Sequence, residues 1–350
     1  MDLSNNQIEK IGKEIEKKIK GKTLFDEFSR GRYSTDASLY QIKPLGVVLP
    51  KDQNDVLSLM EYSQKNSIPL LARGGGSSQC GQTVGECIVL DYSRHQNKIL
   101  ELNVEERYVW VEPGIVLDHL NAYLKPHGLW YPVDVSTSSR ATIGGMTANN
   151  SCGSRSLYYG NMVHNVLAIE TILDDGSIHT FDTVNKNYLA TTNDQDRLYE
   201  IINKFIDVKQ QVKNEIDENW PQTQRRVGGY NIDLIDPNGF NSSSILVGSE
   251  GTLSLFNKIK LKLSEIPTNK VLGVCYFDSF HQAMELTKEM VKLKPTTVEL
   301  MDKNLLDLAK DIPMYAGGIR KYIKGNPEAV LMVEFIDTDP NVYEKKIKDL

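Results

Sequence analysis

The sequence predicts an α+β fold, because short apolar runs typical of strands alternate along the chain with longer helical patterns. A second observation is that glycine-rich segments follow the predicted strands, beginning with 73–78. A third is a break in the pattern at 267–270, after which a strand, a helix and another strand follow in order. Together these features predict an α+β body followed by the start of a new domain.

The chain opens with a pattern of isoleucines at spacings of three and four, which predicts an amphipathic helix. Ser4 and Gln7 suit a capping box, and Gly21 suits a stop signal. The stripe consists of Ile8, Ile11, Ile15 and Ile19. We predict a separate helical segment over residues 1–34. It lies either on the body of the protein or at a subunit contact, or its lysines face an acidic membrane surface.

The next elements follow the same alternation. The predicted strands of the body are 47–49, 69–72, 88–90, 108–112, 166–173, 245–247 and 253–262. The predicted helices of the body are 53–66 and 117–127. Asp174-Asp-Gly176 predicts a hairpin turn after the longest strand. Beyond the break, the pattern predicts strand 271–277, helix 280–293, strand 297–301, strand 329–335 and a helix from about Asn341.

Composition narrows the class of protein. The 350 residues are 40% hydrophobic and 25% charged, which is typical of a globular protein with two or three domains. A net charge of −6 argues against nucleic acid as the main partner. No apolar run approaches the ~18–20 residues of a membrane span. The four cysteines form no CxxC pair, so we expect reduced thiols and a cytoplasmic protein, with peripheral attachment to the inner membrane surface left open.

The first glycine-rich segment has the composition of an oxyanion site. Arg73-Gly-Gly-Gly-Ser-Ser78 directly follows an apolar strand. Successive glycine N–H groups can form a concave nest, and the hydroxyls of Ser77 and Ser78 can add donors. This chemistry suits the pyrophosphate of a dinucleotide or a nucleoside polyphosphate, although the same residues also suit a flexible turn. P-loop and Rossmann motifs are absent from the sequence.

Further glycine motifs follow in a fixed order. They are Glu112-Pro-Gly114, Thr142-Ile-Gly-Gly145, Asn149 to Gly153, Gly229-Tyr-Asn231 and Gly248-Ser-Glu-Gly-Thr252. With Arg73 to Gln82, this ordered set resembles the FAD-binding domain of the vanillyl-alcohol oxidase/p-cresol methylhydroxylase (PCMH) superfamily. Within it, the chain resembles the D-lactate, glycolate and D-2-hydroxyglutarate dehydrogenase branch, over roughly residues 35 to 335.

The resemblance implies a more specific architecture. Residues 35–268 would be a PCMH-type FAD-binding domain made of two α+β subdomains. Residues 269–350 would begin an antiparallel α+β substrate (cap) domain that is incomplete here. In the family, the substrate-binding arginine and lysine and a histidine-rich metal motif usually lie later, so no metal site is expected in this chain. We therefore expect a fragment of a larger enzyme, or a short subunit that depends on a partner.

By the same resemblance, FAD would contact the glycine loops. The implied contacts are Arg73, Gly74, Gly75, Gly76, Ser77, Ser78, Pro113, Gly114, Ser136, Thr137, Thr142, Gly144, Gly145, Asn149, Ser151, Gly153 and Val166. Covalent members of the superfamily commonly carry a histidine at the end of the first loop. Since Ser77 and Ser78 stand there, FAD would be held non-covalently.

Catalytic residues are not determined by the sequence, and three candidates stand out. Tyr230 and Asn231 would lie on the substrate side of the flavin, and Arg226 could pair with a carboxylate or lie in a solvated turn. Glu250 would hold its loop rather than act as a base. Cys152 and His164 are interpreted as structural residues.

The implied activity is oxidation of a D-2-hydroxy acid, such as D-lactate, glycolate or D-2-hydroxyglutarate, to the 2-oxo acid by hydride transfer to flavin N5. Electrons would pass to a quinone, a cytochrome, a protein carrier or oxygen. Two alternatives stay open: a non-catalytic FAD-carrying subunit of a glycolate dehydrogenase, and an oxidase of another alcohol or sugar donor.

Overall fold

The computed structural model describes residues 3–191, 196–223, 225–336 and 340–350. The chain forms two compact units. The first contains residues 1–131, 135–151 and 161–264, and the second contains residues 132–134, 152–160 and 265–350. Residues 3–34 therefore lie inside the first unit. The predicted division into 1–34, 35–268 and 269–350 remains a prediction about domains.

A four-stranded sheet carries the first part of the first unit. Its strands lie in the order β1-β2-β4-β3, with β1 antiparallel to β2 and the other neighbours parallel. The elements are α1 (Asn5–Glu16), β1 (Lys22–Leu24), α2 (Glu27–Arg32), β2 (Gly46–Leu49), α3 (Gln53–Asn66), β3 (Leu70–Arg73) and β4 (Ile88–Asp91). Buried aliphatic side chains make β2 and β4 the centre of this sheet, as expected for parallel strands.

The first helix packs on this sheet, as one of the sequence-based alternatives holds. Ser4 and Gln7 form the predicted capping box, and Ile8 and Ile15 are buried in the same hydrophobic cluster as Val48 and Val56. The helix ends at Glu16, earlier than the predicted stop at Gly21. Gly21 instead passes so close to the backbone of Leu49 that a Cβ would lie 2.2 Å from its carbonyl oxygen.

A hydrogen bond from α3 gives a test of this packing. The Tyr62 hydroxyl donates to the Glu14 carboxylate of α1 over 2.8 Å. We expect Tyr62→Phe to lower the free energy of unfolding by about 1 kcal/mol, the usual contribution of such a bond. Urea denaturation measures it. An unchanged midpoint would mean that α1 adds no stability through this contact.

A five-stranded antiparallel sheet carries the second part of the first unit, in the order β5-β6-β12-β8-β9. The elements from β5 onward are β5 (Ile99–Asn103), β6 (Tyr108–Val111), α4 (Leu117–Leu124), β7 (Leu129–Trp130), α5 (Ile143–Ala148), α6 (Ser156–Tyr159), α7 (Met162–Asn165), β8 (Val166–Ile172), β9 (Ile178–Phe181), β10 (Thr183–Asn185), α8 (Lys186–Thr191), α9 (Arg197–Gln211), α10 (Lys213–Asn219), β11 (Gly239–Asn241), α11 (Ser243–Leu246), β12 (Leu255–Lys262) and β13 (Ser264–Glu265). Of these, α6 belongs to the second unit, and the second residue of β13, Glu265, does as well. The predicted hairpin turn joins β8 to β9, with Gly176 at φ +79°.

One predicted strand is wrong. Residues 245–247 do not form a strand, because the chain there makes the short helix α11 and its continuation. The Asn241 carboxamide oxygen accepts hydrogen bonds from both the backbone N–H and the hydroxyl of Ser243. This side-chain acceptor at the start of the turn favours helical backbone over an extended strand.

The second unit is built on a three-stranded antiparallel sheet in the order β14-β16-β15. Its elements are β14 (Lys270–Phe277), α12 (Phe280–Lys292), β15 (Thr297–Asp302), α13 (Lys303–Asp311), α14 (Pro313–Tyr322), β16 (Ala329–Ile336) and α15 (Pro340–Asp349). The predicted strand-helix-strand start is present, but β16 inserts between its two strands and pairs with both. Phe277, Ala283, Leu331 and Phe335 belong to its core.

Candidate functional site

The first glycine loop, residues 74–78, follows β3, and most of its backbone N–H groups have no hydrogen-bond acceptor among the described residues. Within the described ranges, no residue accepts a hydrogen bond from the backbone N–H of Gly74, Gly75, Gly76 or Ser77. Gly76 adopts φ +62°, a left-handed conformation that favours glycine. A run of free N–H groups with such a turn is the backbone arrangement that binds oxyanions.

Two of these glycines also allow the loop to touch the segment before α5. A Cβ on Gly74 would lie 1.9 Å from the Thr142 hydroxyl oxygen. A Cβ on Gly75 would lie 2.2 Å from the carbonyl oxygen of Arg140. Since real Cβ atoms essentially never come within 3.0 Å of another heavy atom, only glycine fits at both positions. The two glycine-rich segments that the sequence analysis singled out are therefore packed against each other.

The segment that begins α5 is fixed from both sides. The Gly144 N–H donates to the carbonyl oxygen of Pro113 over 2.7 Å, and a Cβ on Gly144 would lie 2.6 Å from the Pro113 ring. Thr142 caps the helix by accepting from the Gly145 N–H over 3.4 Å. The Glu112-Pro-Gly114 turn thus supports the Thr142–Gly145 segment directly.

A cavity of about 60 Å³ opens where these segments meet. Six predicted cofactor contacts line it: Arg73, Gly74, Pro113, Thr142, Gly144 and Gly145. The sequence analysis missed the other lining residues, which are Ala72, Tyr92, Ala148, Gly251, Ser254 and Phe256. Ser254 lies two residues after the quoted Gly248-Ser-Glu-Gly-Thr252 motif, and this proximity was the available signal for it. None of the motifs quoted above includes Tyr92.

Two buried hydroxyls in this cavity have no hydrogen-bond partner in the part of the chain that the structure describes. Neither the Tyr92 nor the Ser254 hydroxyl makes a hydrogen bond to any described residue, although Tyr92 is only 5% exposed. Burial raises the pKa of Tyr92 well above its usual range, so its phenol stays protonated. A buried polar group without a partner costs stability, and a ligand that supplies hydrogen bonds would remove that cost.

The Arg73 side chain contacts residues outside the glycine loop, at 33–35 and at 83. Its guanidinium donates to the carbonyl oxygens of Thr35 (2.9 Å) and Thr83 (3.1 Å) and lies over the ring of Tyr33. Burial lowers the pKa of Arg73, while the nearby Asp91 carboxylate opposes this effect. The observed role of this side chain is to anchor the glycine loop, and direct contact with a pyrophosphate remains a prediction.

The other predicted cofactor contacts lie outside the cavity lining. They are Gly75, Gly76, Ser77, Ser78, Gly114, Ser136, Thr137, Asn149, Ser151, Gly153 and Val166. Gly114 packs under Tyr92, whose carbonyl oxygen would lie 2.2 Å from a Cβ. Val166 is buried at the start of β8. Gly153 belongs to the second unit, where the carbonyl oxygen of Asp134 would lie 1.7 Å from a Cβ.

The three catalytic candidates are engaged in contacts that hold the fold. Arg226 pairs with the Asp233 carboxylate over 2.6 Å, so its charge is already compensated. The Asn231 carboxamide donates to the carbonyl oxygens of Ser244 and Val247 over 3.0 and 2.8 Å. Tyr230 shares a 2.7 Å hydrogen bond with Thr252 but remains 43% exposed. Of the three, only the phenol of Tyr230 combines exposure with a group able to move a proton.

His164 has the surroundings of a structural residue. Its Nδ1 accepts a hydrogen bond from the Asn161 N–H over 3.0 Å at the start of α7. Burial lowers its pKa, and the nearby Arg226 guanidinium lowers the pKa further. The imidazole therefore favours the neutral form and helps to cap its own helix, which is a structural role.

Comparison with known proteins agrees with this geometry. An FAD binding domain family matches residues 44–182, and the family of FAD linked oxidases, C-terminal domain, matches residues 266–350. Residues 44–182 are thus similar to an FAD binding domain, and residues 266–350 are similar to the C-terminal domain of FAD linked oxidases. The first match contains the first glycine loop and the Thr142–Gly145 segment, and it supports FAD as the cofactor.

Individual curated proteins match almost the whole chain. D-2-hydroxyglutarate dehydrogenase of Pseudomonas putida is 34% identical over 341 residues, which are 94% of this chain and 34% of that protein. The Haemophilus influenzae protein of the same name is 37% identical over 322 residues, which are 89% of this chain and 31% of that protein. The chain thus spans about one third of the length of these relatives. A solved structure of alkyldihydroxyacetonephosphate synthase shares the fold, with a TM-score of 0.67 at 18% identity over 97% of this chain and 58% of that one.

The Tyr92 hydroxyl, which has no hydrogen-bond partner among the described residues, gives a test of whether this cavity binds FAD. We expect Tyr92→Phe to raise the free energy of unfolding of the cofactor-free chain by about 1 kcal/mol, because an unsatisfied buried group is removed. The stabilisation that added FAD provides should shrink by a similar amount. Thermal melts with and without FAD measure both effects. If FAD stabilises both proteins equally, this hydroxyl does not contact the cofactor.

Proposed function

We propose that this chain binds FAD non-covalently where the first glycine loop meets the Thr142–Gly145 segment. The observation that carries the proposal is the set of unused donors there. Four consecutive N–H groups and two buried hydroxyls lack partners among the described residues, and they lie on glycine-rich segments packed together. Pyrophosphate oxygens and nucleotide hydroxyls supply the matching acceptors and donors.

The cavity is large enough to enclose only a part of the cofactor. A volume of about 60 Å³ holds a few heavy atoms, whereas sites for whole small molecules usually measure ~300–1,000 Å³. The enclosed part of FAD would be the portion next to Gly74 and Gly144. The remainder would extend along the loops that carry Ser78 and Asn149. No histidine stands in the first loop, which agrees with non-covalent binding.

We further propose that the whole protein oxidises a D-2-hydroxy acid to its 2-oxo acid. The relatives named as D-2-hydroxyglutarate dehydrogenases support this substrate class, with D-lactate and glycolate as close chemical analogues. When bound, FAD would supply a hydride acceptor for the carbon that carries the hydroxyl, and a separate electron acceptor would be needed to reoxidise it. This chain's own residues bind and orient the cofactor, and Tyr230 is the exposed candidate for proton transfer.

A second candidate is an FAD-carrying part that does not itself oxidise substrate. The commitment of Arg226 and Asn231 to internal hydrogen bonds favours it, since neither side chain is left to hold a substrate carboxylate. In that case residues outside this chain would complete the substrate site.

The compartment and the electron acceptor are part of the same proposal. Within the described ranges, none of the helices combines the length and the apolar character needed to cross a membrane. We propose a cytoplasmic protein that passes electrons to a quinone, a cytochrome or a protein carrier.

An anaerobic titration separates the two candidates. The FAD-loaded chain is mixed with D-2-hydroxyglutarate, D-lactate or glycolate, and the visible flavin band is followed. Bleaching by one acid supports oxidation by this chain and identifies the substrate. A bound flavin that stays oxidised with all three acids contradicts it and supports the FAD-carrying role.

A further inference from the structure

Glu250 joins three segments of the proposed FAD site through hydrogen bonds. Its carboxylate accepts from the Asn149 carboxamide over 2.9 Å, and the Gln82 side chain lowers its pKa as a second hydrogen-bond donor. Each amide in turn accepts from a serine. The Ser78 hydroxyl donates to Gln82, and the Ser151 hydroxyl donates to Asn149 over 3.3 Å. Glu250 therefore lies at the centre of a hydrogen-bond network of five side chains.

The backbone holds Glu250 in place at this centre. It is one of five non-glycine residues with positive φ among the described residues, at +52°, and its N–H donates to the carbonyl oxygen of Ala148 over 2.9 Å. Gly248 donates to Thr147 in the same way over 2.9 Å. Strained backbone of this kind persists only where the surroundings enforce it, and it is concentrated at functional sites.

An ionised Glu250 carboxylate fixes the donor and the acceptor of every hydrogen bond in this network of side chains. It can only accept, so Asn149 and Gln82 must turn their NH₂ groups toward Glu250. Their carbonyl oxygens then face the two serines. Each serine hydroxyl has a single proton, and that proton is used by the amide. The backbone N–H of Cys80, which donates to the Ser78 hydroxyl oxygen over 3.4 Å, agrees with this direction.

We propose that Glu250 is a positioning residue that makes the hydroxyls of Ser78 and Ser151 acceptors toward the cofactor. Both hydroxyls then receive hydrogen bonds from sugar-alcohol hydroxyls or a ring N–H of FAD, and neither donates to its phosphates. This reverses the donor role that the sequence suggested for Ser78. The inference rests on the proposed FAD site.

The test is Glu250→Gln, which replaces one acceptor by a donor and removes the charge. One of the two neighbouring amides must then flip, and the serine that bonds it changes direction. We expect the Kd for FAD, measured by quenching of flavin fluorescence, to rise about tenfold. Glu14→Gln is the matched control, because Glu14 also accepts a side-chain hydrogen bond but lies in α1. The control should bind FAD as the wild type does.

Glu250→Gln should not lower the stability of the cofactor-free chain, in contrast to its effect on FAD affinity. Burial raises the pKa of Glu250, and the hydrogen bonds from Asn149 and Gln82 only partly offset this. The ionised form is therefore disfavoured in the folded state, and its cost is present above the raised pKa. Glu250→Gln removes that cost, so the melting temperature of the cofactor-free chain at pH 7 should be unchanged or higher. A residue that only held the fold together would lower it.

The pH profile gives a second signature. The groups that face the carboxylate are the amides of Asn149 and Gln82, and no charged side chain of the described residues contributes to its pKa shift. Wild-type affinity for FAD should fall as pH drops through the raised pKa, since protonation converts an acceptor into a donor. Glu250→Gln should show no such step. Asn149→Asp places two carboxyls face to face, so its affinity should rise as pH drops.

The outcomes are distinct. Weaker FAD binding by Glu250→Gln with retained stability, together with opposite pH slopes for wild type and Asn149→Asp, supports the proposal. Wild-type affinity in Glu250→Gln, or equal pH slopes in wild type and Asn149→Asp, overturns it and leaves the FAD site standing. If the wild type binds no FAD, the proposed function itself fails. Should Glu250→Gln not fold, the pH slope of Asn149→Asp decides alone.

Discussion

Replacing Gly75 by alanine is expected to abolish FAD binding at micromolar cofactor. The added Cβ would lie 2.2 Å from the carbonyl oxygen of Arg140, which is backbone and cannot rotate away. The first glycine loop must then move off the segment that precedes Thr142, and its free N–H groups lose their common orientation. We expect a loss in affinity of at least 100-fold, or about 3 kcal/mol. Isothermal titration with FAD measures it directly.

Gly31→Ala is the control for this substitution. Gly31 lies in α2, has no positive φ, and no described atom would lie within 4 Å of an added Cβ. Alanine there should bind FAD normally and stabilise the helix by ~0.5–1 kcal/mol. Retention of FAD affinity in Gly75→Ala would show that the loop does not form the binding surface.

The second large effect is expected at Arg155 in the second unit. Its guanidinium contacts both oxygens of the Glu334 carboxylate, over 3.1 and 3.4 Å, and also the Asp134 carboxylate over 3.4 Å. The side chains of Arg155 and Glu334 are only 25% and 16% exposed. Arg155→Met would leave two carboxylates without this cation. We expect the second unit to lose about 2 kcal/mol of stability, measured by hydrogen exchange of the β15 and β16 amides.

An exposed ion pair in the same unit provides the comparison. Lys303 and Glu328 form a pair whose side chains are 36% and 48% exposed. Because solvent screens such a pair, Lys303→Met should cost less than ~1 kcal/mol. Equal exchange rates in the two variants would show that the Arg155 pair contributes no more than a surface contact.

Local signals in the sequence predicted several of the longer strands and helices of this fold. The helix over Gln53–Asn66 and the hairpin at Gly176 agree with the structure, because their periodicity and turn residues act over a few positions. The predicted strand at 245–247 failed because the Asn241 side chain favours a helical turn there. The insertion of β16 between β14 and β15 depends on pairing across more than 25 residues, which no local pattern encodes.

The candidate site was predictable to a similar degree. Glycine composition and motif order indicated Gly74, Gly144 and Gly145, which do line the cavity. Tyr92 and Ser254 were missed because a single hydroxyl just after or just before a strand has no distinctive spacing. Only the folded chain shows that both hydroxyls are buried together without partners among the described residues. The internal pairing of Arg226 with Asp233 was equally invisible, since either residue alone suits a solvated turn.

The most direct test of the FAD site is the visible spectrum of the chain after incubation with FAD and gel filtration. We expect a flavin band that elutes with the protein and passes into the filtrate when the protein is denatured. A flavin that stays on the denatured chain would contradict non-covalent binding. A protein fraction without any flavin band would contradict the assignment of this site to FAD.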